Sequence, residues 1–260
     1  MNFHVHHEGK FQYVEEGEGE VLLLLHGLFG ALSNFTDLVN YFKQDYKVVI
    51  PILPIYELPL LKVNLSNLTH HIEEFVNYKN YTAINVLGNS LGGHIALLYT
   101  LQNMHKVHTV ILTGSSGLYE NSMSDSFPKR GSYEFIKQKT EYTFYKPETA
   151  TKELVDEVYR IVTNREKALR VVSVAKSAIR NNLGSQLPKI TVPALLIWGK
   201  QDRITPPEVA HEFAGLLPNS ELHFIDECGH APMMEQPAEF NRRLEQFLIK
   251  NAVNTINLPV

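Results

Sequence analysis

A chain of 260 residues, 44% apolar and 20% charged, is long enough to bury one large core and has the composition of a globular protein. A net charge of −4 and a pI of about 6.3 argue against nucleic acid or an anionic membrane as the main partner, because both select a basic face. The single cysteine, Cys228, excludes an intrachain disulfide, and Met1 to His7 show neither a basic n-region nor an apolar h-region, so a cytoplasmic, reducing compartment is expected. The longest apolar run, Val21-Leu22-Leu23-Leu24-Leu25, is too short to span a bilayer.

In chain order, residues 3–5 and 11–14 read as an opening hairpin turning at Glu8-Gly9, and residues 21–25 as a continuous apolar strand. A helix is predicted over 33–42 with Ser33 as its N-cap, a strand over 47–50, and a helix over 65–78 with Ser66 as its N-cap. A strand over 83–87, a helix over 91–103 and a strand over 109–112 follow. The alternation then breaks. Residues 118–186 are charged, tyrosine-rich and helical in period, with their best helices at 149–163 and 165–180. Strands return at 194–198 and 221–225, followed by helices at 207–217 and 237–250. Apolar-throughout strands separated by helices predict an α/β protein: a mostly parallel eight-stranded sheet covered by helices on both faces. The core is expected to comprise 1–117 and 187–260, with 118–186 as a helical cap inserted over the C-terminal edge of the sheet. The competing arrangement packs those helices flat on one face as a long crossover.

Gly88-Asn89-Ser90-Leu91-Gly92-Gly93 is the most informative stretch. It places a serine between glycines two residues before and two residues after, with a strand ahead and a helix behind, which is the nucleophile-elbow pattern. A turn that sharp holds the serine in a strained backbone with its hydroxyl aimed into a cleft, and a β-carbon at either glycine would collide with the neighbouring elements.

The chain resembles the alpha/beta-hydrolase fold superfamily, in the branch with a helical cap between strands six and seven. The resemblance rests on His26-Gly27-Leu28-Phe29-Gly30, then the elbow, then Trp198-Gly199-Lys200-Gln201-Asp202-Arg203-Ile204-Thr205-Pro206 with Cys228-Gly229-His230-Ala231-Pro232. It covers nearly the whole chain except the cap. The chemistry points to the same residues. Ser90 needs a base to become a nucleophile at neutral pH, and His230, in a Gly-rich loop after a strand, is the candidate. An imidazole needs a carboxylate to fix its tautomer, and Asp202 follows the strand ending at Trp198. Asp226 and Glu227 are nearer to His230 in sequence and read as solvated turn residues. Cys228 reads as packing for the histidine loop. His4, His6 and His7 have no carboxylate or cysteine at ligand spacing, so neither a metal nor a cofactor is expected.

The backbone N–H of Leu91, at a helix N-terminus, is one expected oxyanion donor. By resemblance the second is that of Leu28, with Phe29 as the alternative. Phe29 and Met233 are expected to line an apolar substrate pocket. Serine at the elbow excludes the aspartate-based dehalogenases and epoxide hydrolases of this fold. The main expectation is a serine hydrolase whose partner is a small-molecule carboxylic ester, cleaved through an acyl-enzyme on Ser90. The resemblance also extends to the meta-cleavage carbon–carbon hydrolases. These carry a cap arginine, for which Arg180 and Arg170 are candidates that read equally as solvated helix residues, and a tryptophan soon after the histidine, which residues 231–235 lack. The stretch Pro51-Ile52-Leu53-Pro54-Ile55-Tyr56 stands where many relatives read Asp-x-x-Gly-x-Gly. A non-catalytic ligand-binding member of the fold is the reading from a different class.

Overall fold

The computed structural model describes residues 3–30, 32–119 and 131–252, so residues 120–130 of the predicted cap lie outside the described residues. Strands β1 (His6–Glu8), β2 (Phe11–Glu16), β3 (Glu20–Leu25), β4 (Tyr46–Pro51), β5 (Ile84–Asn89), β6 (Val107–Thr113), β7 (Ala194–Gly199) and β8 (Ser220–Ile225) form one eight-stranded sheet, ordered β1-β2-β4-β3-β5-β6-β7-β8. β2 pairs antiparallel with both β1 and β4. The run β4-β3-β5-β6-β7-β8 is parallel throughout. The helices in chain order are α1 (Thr36–Phe42), α2 (Leu65–Tyr78), α3 (Leu91–Gln102), α4 (Tyr133–Glu141), α5 (Lys152–Thr163), α6 (Arg165–Arg180), α7 (Pro207–Leu216), α8 (Pro232–Glu235) and α9 (Pro237–Lys250).

β3 shows why the central strands are apolar at every position. Leu23 and Leu25 face a core shared with Leu68, Ile72 and Phe75 of α2 and Ile95 of α3. Leu22 and Leu24 face the opposite core, with Leu38 and Val39 of α1 and Phe240, Leu244 and Phe247 of α9. A strand covered on both sides cannot alternate with polar residues. Each such side chain gains roughly 1.5–3 kcal/mol from leaving water. No described helix is long and apolar enough to cross a membrane.

The edges differ from expectation. The first strand is His6–Glu8, not 3–5, because pairing runs back from the turn: Glu8 faces Phe11 and His6 faces Tyr13, with Gly9 at φ +59°. An edge strand this exposed needs no apolar residues, so apolar pattern misplaced it. Ser33 lies inside a 3₁₀ turn, Leu32–Phe35, that precedes α1 and does not cap it. Asn64, not Ser66, caps α2: its backbone is extended and its Oδ1 accepts from Asn67 N at 2.9 Å.

Helices α4, α5 and α6 lie between β6 and β7. α6 begins and ends where periodicity placed it. α5 starts at Lys152, capped by Thr151, because residues 147–149 form a separate 3₁₀ turn. α4 is short and its sequence, Tyr-Glu-Phe-Ile-Lys-Gln-Lys-Thr-Glu, is mostly polar, so periodicity alone did not reveal it. The insertion is tied to the core through backbone groups. Ser173 Oγ donates to Val63 O at 2.8 Å, Leu65 N donates to Ser177 Oγ at 3.0 Å, and His230 N donates to Thr143 O at 3.0 Å.

Candidate active site

Ser90 joins β5 to α3 with φ 55° and ψ −120°, a left-handed backbone that a serine adopts only when its surroundings impose it. The surroundings do so tightly. A β-carbon on Gly88 would lie 2.4 Å from the backbone of Gly92 and Gly93, and one on Gly92 would lie 1.9 Å from Leu25 O. The elbow is further pinned by Ser90 N donating to Thr113 O at 3.1 Å and by Gly93 N donating to Ser90 O at 3.0 Å. Leu91 is the first residue of α3, so its N–H is one of the first-turn donors that no intrahelical carbonyl can accept. The loop after β3 runs alongside: a β-carbon on Gly27 would sit 3.3 Å from Ser90 Cβ. His26 fixes that loop. Its Nδ1 bonds Gly27 O at 2.8 Å and its Nε2 accepts from Leu53 N at 3.1 Å. Burial lowers the His26 pKa, which suits the neutral ring this pairing needs.

Asp202 and His230 are paired and buried. His230 Nδ1 lies 2.9 Å from Asp202 Oδ2 and 3.2 Å from Oδ1, with relative exposures of 6% for His230 and 4% for Asp202. The carboxylate is fully engaged: Oδ1 accepts from Ile204 N at 2.8 Å and Thr205 N at 3.0 Å, and Oδ2 accepts from Thr205 Oγ1 at 2.9 Å. Trp198 Nε1 donates to Thr205 O at 2.8 Å, which anchors this turn to β7. The charged carboxylate is therefore solvated by donors in place of water, and it fixes the Nδ1–H tautomer that leaves Nε2 as a base.

The histidine loop is clamped from the other side by Glu235. Its Oε1 accepts from Gly229 N at 3.0 Å and Ala231 N at 3.2 Å, while Oε2 accepts from Tyr145 N of the insertion at 2.7 Å. Asn89, the residue before Ser90, donates to His230 O at 3.2 Å and Thr113 O at 3.0 Å. Elbow, histidine loop and insertion are thus one hydrogen-bonded unit.

The alternatives to these residues are placed elsewhere. Asp226 is exposed, and hydrogen bonds from Gln201 and Lys200 hold its pKa at about 2. Burial pushes the Cys228 thiol well above its usual range, so it is no thiolate. His94 is buried in α3, and its pKa falls to about 4 by desolvation, which keeps it neutral at physiological pH. Among the described residues no cluster of histidine, cysteine, aspartate or glutamate has the geometry to hold a metal ion.

Ser90 and His230 open into one cavity of about 420 Å³, within the range of small-molecule sites. Leu28, Phe29 and Leu91 line it from the core, and Thr140, Tyr142, Val158, Val174 and Ala178 line it from the insertion. The alpha/beta hydrolase fold model matches residues 20–237. The chain belongs to the alpha/beta hydrolase fold family. A solved alpha/beta hydrolase enzyme from the sediment metagenome of the Mar Chica lagoon, Morocco, is 43% identical, with a TM-score of 0.80 over 96% of this chain and 100% of that one. Among curated proteins the chain is similar to the 2-hydroxy-6-oxo-6-(2'-aminophenyl)hexa-2,4-dienoic acid hydrolase of Metapseudomonas resinovorans, at 27% identity over 93% of this chain and 88% of that protein. It is also 29% identical to a 2-hydroxy-6-oxononadienedioate/2-hydroxy-6-oxononatrienedioate hydrolase of Cupriavidus pinatubonensis, over 64% of this chain and 62% of that protein.

Within this alpha/beta hydrolase, some expected pocket residues move. Met233 is 1% exposed and packs in the core beneath β3 and β7, while Met234 lines the cavity, because the short α8 turns successive side chains to different sides. Neither Arg170 nor Arg180 reaches the cavity: Arg170 Nε donates to Leu58 O at 3.1 Å, and Arg180 is exposed at the end of α6. Among the described residues, the cations that do line it are Lys139 and Arg203. Asn34 also lines the cavity, with its Oδ1 buried and without a partner among the described residues, which leaves an acceptor for a ligand donor. No motif marks a lone loop asparagine, so nothing in the sequence singled it out.

Proposed function

We propose that Ser90, His230 and Asp202 form the catalytic triad of a hydrolase that cleaves a carbon–carbon bond in acidic, ring-fission-type dienoates, with residues 118–186 as a cap over a core of 1–117 and 187–260. The observation that carries the hydrolytic reading is His230 Nδ1 held 2.9 Å from the buried Asp202 carboxylate, with its ring on the same cavity as Ser90. The choice of bond is supported by likeness along 93% of the chain to a dienoic acid hydrolase. In this reading the hydroxydienoate first takes its keto form, its enol proton moving to the carbon beside the ketone; Ser90 Oγ then attacks the ketone carbon and gives its proton to His230 Nε2. The oxyanion is met by the N–H groups of Leu28 and Leu91. On collapse, the bond between that carbon and its neighbour breaks. The electron pair passes into the conjugated keto acid, which leaves as a dienol after taking the proton from His230. Water, activated by His230, then hydrolyses the acyl-Ser90 to a carboxylic acid.

Ester hydrolysis is the second reading, and the lack of tryptophan in Ala231-Pro232-Met233-Met234-Glu235 favours it. An alkoxide leaving group needs only a proton from His230. The test is a side-by-side assay of a 2-hydroxy-6-oxo-hexadienoate and short p-nitrophenyl esters. The expected result is a higher kcat/KM for the dienoate. Ester turnover with an inert dienoate reverses the order of the two readings, and inertness toward both leaves a ligand-binding member of the family.

Glu235 has an expected effect without touching substrate. Glu235→Gln turns an NH₂ toward one of the backbone donors at Gly229, Ala231 and Tyr145, so the loop carrying His230 shifts. A misplacement of this kind lowers kcat by about 10²-fold with KM little changed. A kcat equal to wild type contradicts the positioning role.

A further inference from the structure

We propose that Lys139 and Arg203 form an anion subsite at the solvent edge of the cavity, which takes the carboxylate of a small organic acid while its carbonyl group meets Ser90; this rests on the acyl-transfer reading of Ser90. The chain carries a net charge of −4, yet among the described residues the cavity lining contains both of these cations and no aspartate or glutamate. They share one ring: Lys139 Nζ lies 5.9 Å and Arg203 Cζ 5.2 Å from the centroid of Tyr142. Among the described residues neither has a carboxylate partner, whereas cations nearby do, as in Lys137 with Glu141, Arg170 with Glu166 and Lys200 with Asp226.

Both cations are held in register with the triad. Arg203 stands between Asp202 and Ile204, whose N–H is bound by the Asp202 carboxylate at 2.8 Å. Lys139 is on α4, and Thr143 just beyond that helix accepts from His230 N at 3.0 Å. An anion on this pair would therefore share one cavity with Ser90. Leu154, Val158 and Val174 give the same cavity apolar wall, so it fits a carbon chain or ring carrying one terminal carboxylate better than a phosphate ester. The attraction is screened, because both cations are exposed.

The test is calorimetric titration of the wild-type protein with 5-phenylpentanoate and with 5-phenylpentanamide, its neutral analogue. The acid is expected to bind about ten-fold more tightly at low ionic strength, the combined contribution of two exposed ion contacts. That advantage disappears in about 0.5 M salt, where the Debye length shrinks to a few ångströms. It also disappears in the Lys139→Gln/Arg203→Gln double variant. Equal affinity of acid and amide for the wild type at low salt overturns the subsite, as does binding of neither. An advantage that survives in a folded double variant overturns it too. The wild-type salt titration decides the matter if that variant fails to fold. Labelling of Ser90 by a fluorophosphonate, run in parallel, separates the two readings: an acid advantage without labelling refutes acyl transfer and leaves the subsite standing.

Discussion

Ser90→Ala and His230→Ala are each expected to lower kcat by about 10⁶-fold, and the double variant by no more than either single change. A serine hydroxyl hardly ionises at neutral pH, so in the proposed mechanism Ser90 attacks only as His230 removes its proton. Without the base the hydroxyl is inert, and without the hydroxyl the base has nothing to activate. Among the described residues, His94 and Cys228 give the pair no substitute. His94 lies in α3, bonded through Nε2 to Asn181 O at 2.9 Å, and burial keeps it neutral. The Cys228 thiol is buried and held protonated. The residual rate expected in all three variants is what the proposed donors, the N–H groups of Leu28 and Leu91, and binding in the cavity would supply, roughly 10³-fold over water. Steady-state kcat on the preferred substrate checks this. Losses that multiply in the double variant would mean that the two side chains act independently.

Asp202→Asn is expected to lower kcat by about 10⁴-fold while leaving the fold and KM nearly unchanged. The amide must put its NH₂ where one carboxylate oxygen now sits. Facing Ile204 N and Thr205 N, that NH₂ would meet donors at the 2.8 Å and 3.0 Å positions occupied by Oδ1. The amide therefore turns its oxygen to those donors and its NH₂ to His230 Nδ1. Nδ1 becomes an acceptor, the ring proton moves to Nε2, and the ring loses the lone pair that should take the Ser90 proton. The loss appears in kcat because the missing interaction is with the imidazolium formed during reaction, not with bound substrate. Unchanged turnover would deny Asp202 its role. Asp226 offers no replacement, since Gln201 and Lys200 engage it at the surface.

The candidate site was legible in the sequence where its geometry is local. Gly88, Ser90 and Gly92 mark the elbow because the close approach of β5, α3 and Leu25 forbids any β-carbon there. Asp202 and His230 could be found because each follows a strand of a parallel sheet, and such strands end on one edge. The doubly covered strands were legible because they are apolar at every position. What stayed hidden depends on contacts distant in sequence. Lys139 and Arg203 are ordinary charged residues until the fold brings α4 over the turn after β7. Glu235 reads as a surface residue until Gly229, Ala231 and Tyr145 converge on it. Met233 and Met234 are interchangeable in pattern, and only the pitch of α8 decides which faces the cavity. The edge strand His6–Glu8 carries no apolar signal, because water covers much of it.

The central claim is that Ser90 is the nucleophile. Its most direct test is mass spectrometry of the protein after exposure to a fluorophosphonate, with the adduct mapped by peptide. The account predicts a single adduct on the peptide containing Ser90, lost in Ser90→Ala and strongly slowed in His230→Ala. An unmodified wild type, or an adduct that persists in Ser90→Ala, would contradict it.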